Sequence, residues 1–262
     1  MRGTGTFKME SKITQSLITE LERIQDPQDL IKEILTRFGE RAAIGTSGQL
    51  TGSVMIDMAA TAGVKPRIFT IDTLRLFPET YKLFEEIEKK YGVAVERIQP
   101  DPEKVRKMVG ENGEYLFFDS KEKQEFCCHL RKVEPNERVL DTLDVWLTGL
   151  RSDQSAQRAT TPRFEILTHG EQRRPILKVA PLVNWTEKQV WDYINLHKVP
   201  IHFLLTLNQD GWRYESLGCI ICTTPIGPHE PRRAGRWRWF NVTNPEDKEC
   251  GLHEQKVKKD EV

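Results

Sequence analysis

The chain has 262 residues, of which 38% are hydrophobic and 30% charged, and 39 Lys and Arg balance 39 Asp and Glu. This length fits one α/β domain with extensions, or two small domains. The balanced charge excludes the net basic field that drives non-specific nucleic-acid binding, so an anionic ligand must meet a local cluster. No apolar run approaches the ~20 residues of a membrane span, and residues 1–10 lack signal-peptide features. We therefore expect a soluble cytoplasmic protein that binds neither nucleic acid nor membrane.

Two stretches near the start of the chain repeat apolar residues at helical spacing. The first includes Leu17 and Leu21, and the second runs through 30–38. Pro27 stands where a helix tolerates proline, in the first turn. We expect two amphipathic helices in an N-terminal extension of residues 1–41.

Strands and helices then alternate. The apolar run 42–45 leads through a polar, glycine-containing turn into a helical pattern. Further strands are expected at 67–72, 93–98, 145–148 and 176–179, and further helices at 78–91 and from a start within 184–187. This alternation predicts an α/β fold with an open, mostly parallel, Rossmann-like sheet and helices on both faces.

Three turns of this sheet are candidates for one ligand site. They follow Gly45, Ile71 and Thr148, and ligands of open parallel sheets bind beyond the carboxyl ends of the strands. The turn that contains Ser47 and Gly48 directs backbone N–H groups and a helix N-terminus at one point, which suits a phosphate or sulfate. A plain strand-to-helix connection is the alternative for a single turn of this kind.

The five cysteines form two close groups and one isolated residue: Cys127 and Cys128, Cys219 and Cys222, and Cys250. We expect the adjacent pair to point different ways along an extended backbone, which favours an iron–sulfur cluster because each thiolate can bind its own iron. The C-x-x-C spacing also occurs in structural zinc sites and redox pairs, so zinc stays open from spacing alone. Disulfides are disfavoured, because the length allows a hydrophobic core and no secretory segment is present.

Six strings follow one another between positions 42 and 253: 71–73 (IDT), 78–81 (PETY), 148–155 (TGLRSDQS), 218–223 (GCIICT), 233–237 (RAGRW) and 249–253 (ECGLH). In this order they resemble the sulfonucleotide reductases, specifically the iron–sulfur adenosine 5'-phosphosulfate (APS) reductases of assimilatory sulfate reduction. Reductases specific for the 3'-phosphorylated substrate usually lack the two cysteine pairs, so the pairs mark the subclass.

The resemblance implies an adenine nucleotide alpha hydrolase-like fold and an oxidoreductase. It places a 4Fe-4S cluster on four cysteines: Cys127, Cys128, Cys219 and Cys222. It makes Cys250 the nucleophile, which attacks the sulfate sulfur, releases AMP and keeps a thiosulfonate. Thioredoxin, or a glutaredoxin-like reductant, then releases sulfite. Residues 42–240 would form the reductase domain, and residues 241–262 a mobile arm that carries Cys250.

The resemblance also assigns the cationic residues. Lys132 would lie near both cluster and sulfate, while Arg233 and Arg236 would hold sulfate oxygens. Arg151 would meet the phosphosulfate or the ribose. The expected contacts of the nucleotide turns are Ser47, Gly48, Asp72 and Thr73.

Some positions depart from the family pattern. Leu74 stands where the family has a glycine, and this larger side chain would change the shape of the adenine end of the site. Arg213 is not expected from the family pattern. Arg213 suggests a contact to an extra phosphate, so use of the 3'-phosphorylated substrate, alone or together with APS, is an alternative hypothesis. An ATP pyrophosphatase-type tRNA-thiolating enzyme and a zinc-stabilised nucleotide-binding module are two further hypotheses. The role of His253 and the formation of a homo-oligomer stay open.

Overall fold

The structure, a computed structural model, describes residues 13–240. The α-helices of this part are α1 (Gln15–Glu22), α2 (Pro27–Phe38), α3 (Leu50–Thr61), α4 (Pro78–Tyr91), α5 (Pro102–Asn112), α6 (Lys121–Cys128), α7 (Glu134–Leu140) and α8 (Glu187–His197). Its strands are β1 (Ala42–Gly45), β2 (Arg67–Ile71), β3 (Val95–Ile98), β4 (Val145–Thr148), β5 (Phe164–His169), β6 (Arg174–Val179), β7 (Asn208–Gln209) and β8 (Trp212–Arg213). Within these bounds, no helix is long and apolar enough to cross a membrane.

Strands β1 to β6 form one sheet in the order β3-β2-β1-β4-β6-β5. Neighbouring strands are parallel except β5, which pairs antiparallel with β6. Ile44 lies at the centre, in register with Ile68 on one side and Leu147 on the other. The predicted α/β fold with a mostly parallel sheet is confirmed. Strands β7 and β8 form a separate hairpin.

The main hydrophobic core surrounds the central strands. Ile44 and Leu147 are fully buried in it, as are Leu21 of α1 and Leu30 of α2. Full burial of such side chains stabilises a fold by about 1.5–3 kcal/mol each. The helices that precede β1 therefore share a core with the sheet instead of packing as a separate unit.

Local signals explain where the predicted helices begin. The Asp26 side chain accepts hydrogen bonds from the backbone N–H groups of Gln28 and Asp29, and Pro27 occupies the first helical position. Thr186 and Gln189 cap α8 reciprocally. The strand expected to start at Val93 starts two residues later, in β3.

His202 is a fully buried histidine that lies against α4. Its Nδ1 accepts from the Leu204 backbone N–H (3.2 Å), which leaves the ring proton on Nε2 to donate to Thr80 Oγ1 (2.9 Å). Burial lowers the pKa of His202 to about 4, although nearby Glu79 opposes the shift. The folded protein therefore holds this ring neutral.

A pH-dependent loss of stability follows from His202. Its folded-state pKa of about 4 lies below the ordinary histidine pKa of 6.5, so the unfolded chain binds more protons as the pH falls through 6.5 toward 4. Between pH 7.5 and pH 5 this one group should cost about 2 kcal/mol of the free energy of unfolding. Urea denaturation at both pH values should show a smaller loss in H202N, which keeps an acceptor for the Leu204 N–H. Equal losses in the two proteins would contradict the account.

Candidate active site

A cavity of about 410 Å³ opens at the carboxyl edge of the parallel strands. The turns after β1, β2 and β4 contribute Thr46, Thr73 and Gly149 to its wall. Parts of 205–218 and 232–236 line the rest. Because parallel strands end at a common edge of the sheet, turns far apart in sequence meet there. The predicted convergence of the three turns on one pocket is confirmed.

The turn between β1 and α3 is shaped by one hydroxyl and two glycines. Thr46 Oγ1 accepts from the Gly48 backbone N–H (3.2 Å), and Gly48 has a φ of 74°, which glycine adopts without strain. A Cβ on Gly52 would overlap Thr46 Oγ1, so the first turn of α3 lies directly against this hydroxyl. Ser47 lines the cavity, whereas Gly48 lies behind its wall. The N-terminus of α3 faces the cavity, where its partial positive charge suits an anion.

Cationic side chains line much of the cavity. In the described part of the chain they are Lys132, Arg151, Arg158, Arg213, Arg232, Arg233 and Arg236. The structure thus brings together all four cationic residues assigned by resemblance. The sequence does not predict Arg158 and Arg232, because they lie outside the recognised strings. The adjacency of Arg232 to Arg233 is the one signal in the sequence.

Two of these arginines are held firmly. Arg151 is 3% exposed, and its guanidinium donates to Asp153 Oδ1 (2.9 Å) and Thr51 Oγ1 (3.0 Å). Arg236 is 4% exposed and donates to Thr223 Oγ1 (2.9 Å). A fixed guanidinium needs little reorganisation to meet an anion, which favours both binding and catalysis.

Asp72 and Thr73 differ in their relation to the cavity. The buried Asp72 carboxylate accepts from the Leu74 N–H (2.9 Å), the Tyr81 hydroxyl (2.7 Å) and the Gln99 amide (3.1 Å). These contacts fix the turn after β2, in which Leu74 has a φ of 61°. Asp72 lies outside the cavity wall and Thr73 within it. A substrate contact by Asp72 therefore stays a prediction, while its observed contacts shape the turn.

Four cysteines line a second, small cavity, the thiol cavity: Cys127, Cys128, Cys219 and Cys222. The expectation of an extended backbone at the first pair is wrong, because α6 ends at Cys128 and both residues are helical. Successive residues of a helix diverge by about 100°, so the two thiols still point in different directions. The second pair lies in and just before a short 3₁₀ turn, Ile220–Cys222.

Neighbouring groups act on the pKa of these thiols in opposite directions. Burial raises the pKa of the Cys222 thiol to about 12, and Cys219 and Cys128 add to the rise. Lys132 and Arg236 act in the opposite direction on the same pKa. Both cations line the larger cavity, so the two cavities are electrostatically coupled.

The thiol cavity also contains buried guanidinium groups. Burial raises the pKa of Cys127, and Arg131 and Arg75 oppose this. In the described part of the chain, Arg75 Nη1 and Arg131 Nε are buried with no hydrogen-bond partner. Arg75 already pairs with the Glu114 carboxylate, so Arg131 is the guanidinium whose burial favours an anionic occupant most directly.

Lys132 lies between the two cavities and lines both. It belongs to a π-helical turn, His129–Val133, that joins α6 to α7. Turns of this kind are rare in proteins, and many of those that occur lie at functional sites. The Lys132 ammonium group therefore has access both to the thiol cavity and to the larger cavity, which is of a size to hold a nucleotide.

Four thiols around one cavity are a donor set that an iron–sulfur cluster takes. Among residues 13–240, no group of three or more His, Cys, Asp or Glu side chains is close enough to hold one metal ion. The four thiols nevertheless share one cavity, and Gln124 Nε2 donates to Cys128 Sγ (3.1 Å). Separate thiolates with hydrogen bonds to sulfur are typical of 4Fe-4S sites. Cys250 and His253 lie outside the described residues.

A nucleotide-sized cavity at the edge of a parallel sheet, next to four buried thiols, defines a nucleotide-binding α/β protein with a thiol-lined site. The phosphoadenosine phosphosulfate reductase domain model matches residues 41–225. The chain belongs to this family.

Relatives of the chain carry reductase names. The adenosine 5'-phosphosulfate reductase of Pseudomonas aeruginosa (strain LESB58) is 36% identical over 231 residues, which cover 87% of this chain and 82% of the relative. The enzyme of the same name from Allochromatium vinosum is 42% identical over 187 residues, with 71% and 68% covered. The chloroplastic 5'-adenylylsulfate reductase 3 of Arabidopsis thaliana is 34% identical over 265 residues, with 95% of this chain and 55% of the plant protein covered. These relatives favour neither use of the 3'-phosphorylated substrate nor the tRNA-thiolation hypothesis.

Solved structures support the fold. Phosphoadenylyl-sulfate (PAPS) reductase from Candida auris, in a phosphate complex, has a TM-score of 0.63 at 28% identity, with 81% of this chain and 98% of that chain covered. FMN adenylyltransferase from Candida glabrata has a TM-score of 0.51 at 16% identity, with 83% and 69% covered. The second likeness concerns the fold alone.

The tight turn after β1 yields a prediction. In Gly52→Ala the new Cβ overlaps Thr46 Oγ1 and must displace the turn at the cavity wall. The dissociation constant for AMP should rise about tenfold, a loss of about 1.4 kcal/mol of binding free energy, because the displaced turn no longer directs its N–H groups at the phosphate. Gly110→Ala is the matched control, since nothing lies within 4 Å of its Cβ position. Calorimetric titration should show a change in Gly52→Ala alone, and equal affinities in both variants would contradict this role of the turn.

Proposed function

We propose that the protein reduces adenosine 5'-phosphosulfate to sulfite and AMP with electrons from thiols, as an enzyme of sulfate assimilation. The observation that carries the proposal is the position of Lys132, which lines both the nucleotide-sized cavity and the thiol cavity. The names of the relatives at 36% and 42% identity support APS as the substrate.

Binding would use the fixed charges of the cavity. The phosphosulfate is anionic, and the N-terminus of α3 and the guanidinium of Arg151 suit its phosphate. Arg233 and Arg236 line the same cavity, and Arg236 also acts on the Cys222 thiol, so the two suit the sulfate oxygens. Since the phosphosulfate anhydride is already activated, the protein mainly has to align the nucleophile and neutralise charge.

The chemistry would begin with the Cys250 thiolate. Its Sγ bonds to the sulfate sulfur while the bond from that sulfur to the bridging oxygen breaks, and the bond pair leaves with AMP. The product on the chain is a thiosulfonate. A thioredoxin thiolate then attacks Cys250 Sγ and expels sulfite, and the second thioredoxin thiol resolves the mixed disulfide. Both electrons come from thioredoxin, or from a glutaredoxin-like reductant, and a cytoplasmic location keeps such thiols reduced.

The thiol cavity would hold a 4Fe-4S cluster through its four cysteines: Cys127, Cys128, Cys219 and Cys222. When bound, the cluster supplies a buried anionic centre next to the sulfate site. Arg75 and Arg131 would balance this charge inside the cavity, and Lys132 would balance it at the boundary with the substrate cavity. The same ammonium would thereby stay charged and directed toward the sulfate.

Two cysteine variants should distinguish the catalytic nucleophile from the cysteines that bind the cluster. Cys250→Ser should lose sulfite release from APS by about 10³-fold or more, because the hydroxyl is a poor nucleophile. It should keep about four irons per chain and the AMP affinity of the unaltered protein. Cys219→Ser should lose its iron. Sulfite release with thioredoxin and metal content are both measured on anaerobically purified protein.

Lys256→Ala is the control for Cys250→Ser, since it changes the same C-terminal segment without removing a thiol. It should release sulfite at the unaltered rate. Turnover that survives in Cys250→Ser would remove this residue from the reaction. Stoichiometric zinc in place of iron in the unaltered protein would contradict the cluster.

A further inference from the structure

Two arginines of the cavity wall are tied to two carboxylates of the same wall. Arg213 Nε lies 2.6 Å from Glu215 Oε1. Arg232 Nη2 lies 2.6 Å from Glu187 Oε2 and 3.1 Å from Glu215 Oε2. All four side chains line the cavity. Two cations and two anions cancel, so this part of the wall adds no net positive charge.

Glu215 is the shared member of this network. Its side chain is 12% exposed, whereas those of Arg213 and Arg232 are 34% and 39% exposed. A carboxylate with so little access to water depends on its guanidinium partners for compensation. Moving either partner toward a ligand would therefore leave this poorly solvated negative charge with one guanidinium instead of two.

This part of the wall affects most directly whether the cavity can bind a 3'-phosphorylated nucleotide. Such a nucleotide carries one more phosphate than AMP or APS, and a second phosphate is normally held by an arginine. To serve it, Arg213 would have to leave Glu215, and the new phosphate would then lie near a carboxylate compensated by Arg232 alone, a guanidinium that Glu215 shares with Glu187. Like charges in a partly desolvated site repel strongly.

We infer that Glu215 is a specificity-determining residue: by holding Arg213, it prevents the cavity from binding a second phosphate and so selects APS over its 3'-phosphorylated form. The inference rests on the proposed function. It also gives Arg213 a role opposite to the extra phosphate contact that its presence in the sequence suggests.

The network predicts which arginine a substitution would release. In Glu215→Gln, Arg232 keeps its 2.6 Å ion pair with Glu187. Arg213 loses the carboxylate with which it pairs in the described part of the chain. The effect of the substitution should therefore depend on Arg213 and not on Arg232.

Equilibrium binding of AMP and of adenosine 3',5'-bisphosphate tests the inference without any turnover. We expect the ratio of the two dissociation constants to shift about tenfold toward the bisphosphate in Glu215→Gln, since one positive charge becomes available to the added phosphate. The shift should disappear in the double variant Arg213→Ala/Glu215→Gln. Glu96→Gln is the matched control, because Glu96 pairs with Arg67 (2.7 Å) outside the cavity, and it should leave the ratio unchanged.

An unchanged ratio in Glu215→Gln, with AMP still bound, would overturn the inference and leave the proposed function intact. A shift that persists in the double variant would also overturn it, since Arg213 would then not be the released group. Failure of the unaltered protein to bind either nucleotide would instead refute the proposed function itself. Thermal unfolding of each variant checks that the comparison is between folded proteins.

Discussion

The parallel pairing of β1 with β2 and β4 is the constraint on which the site depends. Ile44 is in register with Ile68 and Leu147, so the three strands end at one edge and their turns meet there. Without that register, Thr46, Thr73 and Gly149 would not share a wall. The apolar side chains packed on both faces fix the register, because a shift by one residue would move each side chain to the opposite face of the sheet and into a differently shaped core. Packing in the core thus determines where the charges of the cavity lie.

Charge is the second organising feature, because two anionic groups would have to lie close together. The cavity at the sheet edge suits a phosphosulfate, and the thiol cavity suits a cluster with four thiolates. Lys132 lines both, and Arg236 reaches the thiols electrostatically from the cavity wall. Elsewhere on the wall, Glu215 cancels positive charge. The distribution of cations, more than their number, would then decide which anion binds.

The elements that could be predicted from sequence are those with a strong apolar period. The runs at β1, β2 and β4 and the helices α2 and α4 are of this kind. The antiparallel strand β5 could not be predicted, since its residues are mostly half-buried or exposed. The helix that carries Cys127 and Cys128 is largely polar, so no apolar period marks it in the sequence. The pairing of Arg232 with Glu187 joins residues 45 positions apart, and only tertiary packing determines such contacts.

In the proposed reaction, the chain itself carries the sulfur of the substrate before any reductant acts. The most direct test mixes the anaerobic protein with APS in the absence of thioredoxin and then measures AMP and the mass of each cysteine-containing peptide. We expect one AMP per chain and a mass gain of one SO₃ group on the peptide that contains Cys250. AMP without that adduct, or the adduct on a cysteine of the thiol cavity, would contradict the proposed reaction.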